Sequence, residues 1–231
     1  MAKVAVGDLS VKVESMSIGD WSEAVGYVAA MVALAAVGGE IAEDIRNLEK
    51  INSANDVDIN VGTNDLVELR AKLGVPKTDT IAVGKTNVKG LEGIVFEGQS
   101  PKVRKEAGLP NIDIIMPNRK IKSPGKIPSA TRHAEEVVAN EFVNAVEKKG
   151  LMENEVVGTL RIHQSNPTGV CPTCLSGLGN PNKSAGVIKQ LSLRYPNLYI
   201  EVTSEVVDGV RVNGKLNFIV KNGRYVEGVV K

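Results

Sequence analysis

Residues 131–174 read TRHAEEVVANEFVNAVEKKGLMENEVVGTLRIHQSNPTGVCPTC, and they hold both histidines and both cysteines of the 231-residue chain. The first half places apolar side chains at Val137, Val138, Phe142, Val143 and Val146 and stops at Lys148-Lys149-Gly150, which predicts a helix over 131–149. The second half alternates over 156–163, as a half-buried strand does. Cys171-Pro172-Thr173-Cys174 follows, with Pro172 early in a short predicted helix that ends near 177–179. Helix, strand and helix in succession point to an α/β layered domain, with helices on both faces of a mixed sheet.

The residue types in this stretch suit a metal. Two cysteines three apart at a helix start turn their sulfurs the same way, and His133 supplies a third ligand, leaving a tetrahedral ion one open position. Zinc lowers the pKa of a water it holds from about 15.7 to near 7, and Glu135 is placed to move the proton. Inside a helix, residues two apart diverge, so His133 and Glu135 serve one site only if His133 stands at the helix cap. Three other readings remain open: a redox pair, two buried thiols, or a closed structural zinc site completed by His163. Glu135 and Glu136 also fit as plain first-turn acids, and Glu136 is expected to matter little.

His133-Ala134-Glu135 followed by Cys-x-x-Cys resembles the signature of the zinc-dependent nucleobase deaminases, H-x-E then P-C-x-x-C. Val170 stands where that signature has proline, and 166–174, N-P-T-G-V-C-P-T-C, is similar to the N-P-x-G-x-C-x-x-C of bacterial polymorphic toxin deaminases. These include double-stranded DNA cytosine deaminase toxins and their single-strand-acting relatives. The resemblance covers roughly 76–231 and implies a three-layer α/β/α cytidine deaminase-like fold. It implies zinc on His133, Cys171 and Cys174, and Glu135 as the proton-transfer residue in conversion of cytosine to uracil in nucleic acid, DNA favoured. Attack on adenine, RNA or a free nucleoside uses the same apparatus, and a non-catalytic zinc-stabilised binding module is the alternative outside catalysis. A toxin module further implies a cognate immunity protein as partner, and delivery into a target-cell cytoplasm.

Composition limits the remaining choices. Two cysteines in one C-x-x-C exclude a disulfide framework, and 3% aromatic residues argue against a wide base-stacking platform. The net charge of +1 hides an asymmetry: residues 1–80 carry 7 Lys/Arg against 13 Asp/Glu, the remainder 21 against 14. A basic body suits a polyanionic partner, a solvated basic face being the other reading. No secretory signal is readable at the N-terminus, so the chain as it stands reads as cytoplasmic. The apolar run 24–39, sixteen residues, is short of the roughly twenty that span a bilayer, so a buried helix and no membrane partner are expected.

In chain order, a short strand or arm is expected over 3–18, a long helix from Asp20 through Leu48, and a short helix over 65–73 ended by Gly74 and Pro76. The domain boundary is placed there, giving an N-terminal helical segment over 1–75 and the main domain over 76–231. Residues 80–83 and 93–97 read as a β-hairpin, 101–108 as a helix and 112–116 as a short extended segment. Residues 101–126 hold seven basic and two acidic side chains, which read either as a solvated loop or as a phosphate-contacting one, with Arg119, Lys120 and Lys122 the expected contacts. Ser165 and Asn166, delivered by the 156–163 strand, are further candidate substrate contacts. A helix over 184–195, a strand over 198–203, and strands over 205–229 broken at Asn213-Gly214 and Asn222-Gly223 complete the reading.

Overall fold

The computed structural model describes residues 59–77, 79–125 and 131–226. The expected arm, the helix from Asp20 and the apolar run 24–39 lie outside these residues. All described residues belong to one compact unit, Arg46–Lys231. Six strands form one mixed sheet in the order β2-β1-β3-β4-β5-β6. They are β1 (Ile81–Thr86), β2 (Phe96–Gln99), β3 (Gly158–Gln164), β4 (Leu198–Ser204), β5 (Phe218–Lys221) and β6 (Arg224–Tyr225). Among the described strands only β3 and β4 run parallel, and the helical crossover between them supplies the connection that a parallel pair requires. The expected hairpin forms between β1 and β2, in the register Ala82↔Gly98 and Gly84↔Phe96.

Strand alternation sorts the sheet residues onto two faces. Helix α1 (Thr63–Leu73) places Leu66 and Leu69 on Ile81 and Val83, together with Val103 of α2 (Pro101–Glu106). The other face carries Ala82, Phe96, Leu160, Ile162, Ile200 and Val220. They pack under Val138, Phe142 and Val146 of α4 (Ala134–Lys149) and Val187, Ile188 and Leu191 of α5 (Val187–Arg194). Helices therefore flank the mixed sheet on both sides, and α1, placed before the expected boundary, packs on the sheet itself. Among the described residues no helix is long and apolar enough to cross a membrane.

Three local expectations are corrected. Residues 112–115 form a short helix, α3 (Ile112–Ile115), because Asn111 caps it by accepting from the Asp113 N–H at 3.0 Å. Residues 205–217 are loop, with Val206, Val207, Val210 and Val212 exposed; Asn213 and Gly214 do not turn a hairpin but donate their N–H groups to Thr168 O. Cys171 immediately precedes, and Cys174 lies within, consecutive turns over 172–177 and not a helix, since the Leu175 N–H bonds Cys171 O but the Ser176 N–H reaches only to Thr173 O. Asn222-Gly223 does turn a hairpin, with φ of 45° and 74°.

Candidate metal centre

The first turn of α4 is pressed onto the β1–β2 hairpin at two glycines. A methyl group on Gly98 would overlap the Ala134 carbonyl oxygen, and one on Gly84 would come within 2.8 Å of Val138 Cγ1. Only hydrogen at these positions lets the helix start so close to the sheet. His133 is the N-cap, with extended backbone at φ −66° and ψ 167°, and its carbonyl accepts from the Glu136 and Val137 N–H groups. The geometric condition on His133 and Glu135 is thereby met.

The cysteine side is built from main chain. The Val170 N–H donates to Lys215 O at 2.9 Å, a bond that proline at this position could not make, which gives the departure from the P-C-x-x-C pattern a physical reason. Beyond the cysteines, the start of α5 closes over the turn: Gly186 N–H to Ser176 O at 2.7 Å and Ile188 N–H to Cys174 O at 3.2 Å. Helix-end donors that would otherwise lack partners are thus satisfied by the carbonyls of the cysteine turn.

These two supports bring His133, Cys171 and Cys174 together, with ligand atoms all within 4.8 Å of one another. His133 Nδ1 lies 3.1 Å from Cys171 Sγ and 3.5 Å from Cys174 Sγ. The Cys174 N–H points at Cys171 Sγ, 3.4 Å away. The hydrogen bond shared with Cys174, with that to His133, holds the Cys171 thiol down to about 4 against the opposing effect of burial. The same bond pushes Cys174 well above the ordinary thiol range, and burial adds to it. One thiolate and one thiol around an imidazole form a donor set that can bind a metal ion, and among the described residues it is the one such group of three or more.

Glu135 and Glu136 are adjacent and both buried, at 3% and 0% exposure, yet their surroundings differ. Glu136 accepts from Arg119 Nε at 2.8 Å, from the Ser123 N–H and hydroxyl, and from the Arg132 N–H. Glu135 Oε2 has no hydrogen-bond partner. Burial raises the Glu135 pKa, and the Cys171 thiolate and Glu136 add to the rise. The expectation that Glu136 matters little is corrected: it is the hub that ties 119–123 and residue 132 to the helix.

His163 lies elsewhere. It shares the sheet face of Val83 and Thr203, opposite Leu160 and Ile162. Its Nδ1 is 2.8 Å from Thr203 Oγ1, and burial lowers its pKa. With the sheet between His163 and the cysteines, the closed four-ligand arrangement does not form.

The remaining candidates are dispersed. Ser165 is buried, and its hydroxyl accepts from the Ile81 N–H and from Arg70, anchoring the start of β1. Asn166 turns back on its own loop, Oδ1 accepting from the Thr168 N–H and hydroxyl. Arg119, expected to face phosphate, is 7% exposed and spans Glu136 and Asp113 at 2.8 and 2.7 Å. Lys120 and Lys122 are exposed, as expected, on a segment held by Asn140 to Ile121 and by Gln190 to the Lys122 main chain. Of the other bases, Arg104 is buried against Gln99, and Lys126 lies outside the described residues. The roles of Asn140, Gln190, Asp113 and Arg132 were missed from sequence; polar side chains at these spacings carry no motif, and only tertiary contact reveals their partners.

No protein-family model, curated protein or solved structure matches the chain.

Proposed function

We propose that the chain is a zinc-dependent hydrolytic deaminase with a cytidine deaminase-like fold, acting on cytosine in nucleic acid, DNA favoured. The observation that carries this reading is the buried, unpartnered Glu135 Oε2 beside three convergent N/S donors. A structural zinc site needs four ligands and no acid, whereas a hydrolytic one keeps a position open and an acid next to it. Ideal tetrahedral zinc bonds of about 2.3 Å to sulfur and 2.0–2.1 Å to nitrogen separate S and N by about 3.6 Å; the 3.5 Å from His133 Nδ1 to Cys174 Sγ matches this spacing, and the 3.1 Å to Cys171 Sγ is shorter.

When bound, zinc supplies the Lewis acidity that makes water a nucleophile near neutral pH. His133, Cys171 and Cys174 would hold it. Glu135, its pKa raised by burial, takes a proton from the attacking water and passes it to the ring nitrogen of the base, then carries the remaining water proton to the amino group that leaves as ammonia. Exposed Lys120 and Lys122, on the segment leading toward the helix cap, are the groups available to a phosphate backbone, while Arg119 is already engaged. The likeness to toxin deaminases adds a cognate immunity protein and delivery into a target cell to the proposal.

The test is zinc-loaded protein incubated with labelled single- and double-stranded DNA and RNA and with free cytidine and adenosine, products being read by cleavage at uracil or inosine. Uracil should form in DNA. Glu135→Gln should keep its zinc and lose at least about a hundredfold in rate, the lower range for a general acid–base residue. Absence of product on every substrate, or full activity of Glu135→Gln, overturns the reading.

A further inference from the structure

Among the described residues only Arg132 and Asn222 combine a side chain with positive φ, and Asn222 sits in an Asn-Gly hairpin where that is ordinary. Arg132, at φ 60°, immediately precedes the ligand His133. An arginine has no local reason to stay left-handed, because its Cβ crowds the following carbonyl. Such a conformation persists where surrounding groups over-determine it.

Those groups are visible. The Arg132 N–H donates to Glu136 Oε2 at 3.1 Å, Nε to Asp113 Oδ2 at 2.6 Å and Nη1 to Thr131 Oγ1 at 3.2 Å. Asp113 in turn uses its other oxygen on Arg119, which reaches Glu136. The ring Asp113–Arg119–Glu136–Arg132 therefore closes on the residue whose backbone aims the helix cap.

We propose that Asp113 is a positioning residue for the metal site: its ion pair holds Arg132 left-handed, and that backbone directs His133 Nδ1 at the two sulfurs. The inference rests on the metal-binding reading. It gives α3, which carries none of the ligands, a role in ligand affinity.

A double-mutant cycle on metal-free protein titrated with cobalt(II) tests it. The thiolate-to-cobalt absorption gives occupancy, a competing chelator sets the free metal, and circular dichroism with thermal melting follows the fold. Asp113→Ala should weaken cobalt binding about tenfold, the scale of a left-handed penalty no longer held in place. Arg132→Gly should bind within about threefold of wild type, because glycine adopts positive φ without a clamp. Adding Asp113→Ala to Arg132→Gly should then cost no more than about twofold. Equal losses in both backgrounds overturn the proposal, as does a lowered melting temperature with wild-type cobalt affinity. Should Asp113→Ala not fold, Asp113→Asn is read in the same cycle. Wild-type protein that develops no thiolate-to-cobalt band overturns the metal reading itself, whereas normal wild-type binding without coupling overturns only this inference.

Discussion

The two sides of the candidate metal centre are built from different materials. The His133 side is held by charged side chains, Arg119, Asp113 and Arg132 around Glu136. The cysteine side is held by main-chain bonds, Val170 to Lys215, Gly186 to Ser176 and Ile188 to Cys174. A side-chain scaffold depends on ion pairs and on which residues occupy four positions. A main-chain scaffold is indifferent to most side chains and sensitive to whatever changes backbone approach. The two halves should therefore fail under different perturbations.

The largest effect is expected on the charged side. Glu136→Ala leaves the Arg119 guanidinium buried with half its ion pairing gone, and breaking one partner of a buried pair costs about 3–5 kcal/mol. Glu135→Ala, which removes a carboxylate whose Oε2 has no hydrogen-bond partner, should change stability by no more than about 1 kcal/mol. Urea unfolding of the two metal-free variants checks the contrast, and similar midpoints would erase the distinction drawn between the adjacent acids.

A smaller effect is expected on the main-chain side. A Cβ on Gly186 would stand 2.5 Å from both Cys174 O and Thr173 O, so Gly186→Ala must push the cysteine turn away and should cost about 1–3 kcal/mol. Gly179→Ala, which meets nothing within 4 Å, should stay within about 0.5 kcal/mol. Thermal melting and cobalt titration read both variants; a harmless Gly186→Ala would mean that the α5 start does not shape the cysteine turn.

The mildest perturbation is pH. Cys171, held at about 4 against an ordinary 9.0, should be a thiolate throughout the neutral range in the metal-free protein. A depressed pKa contributes stability that is complete above the unfolded value of 9.0 and drains as pH falls toward about 4. Cys174 shifts the other way and keeps its proton, so alkylation at pH 6–7 should modify Cys171 alone and slow as pH drops through about 4. Modification of both cysteines at similar rates would show that they do not share one proton asymmetrically.

Much of the fold was legible because periodicity and punctuation agree in it. The 3.6-residue spacing of α4, the alternation of β3 and β4, and the glycine stops at Gly74 and Gly150 each restate one local preference twice. Where local signals competed, the reading failed. Asn111 capped a helix through residues that looked extended, and valines at 206–212 carried strand propensity yet stand exposed in a loop.

At the candidate site, the sequence by itself determined the donor set: one histidine before an acid, two cysteines three apart, and the helix whose cap joins His133 to Glu135. Tertiary structure alone decided the rest. It placed His163 behind the sheet, turned Arg119 inward, and divided two neighbouring glutamates into a hub and an acid with one buried oxygen left without a hydrogen bond. The physical reason is that ligand identity is a property of single residues, whereas burial and partnership depend on which distant segments the packed helices and sheet bring within reach.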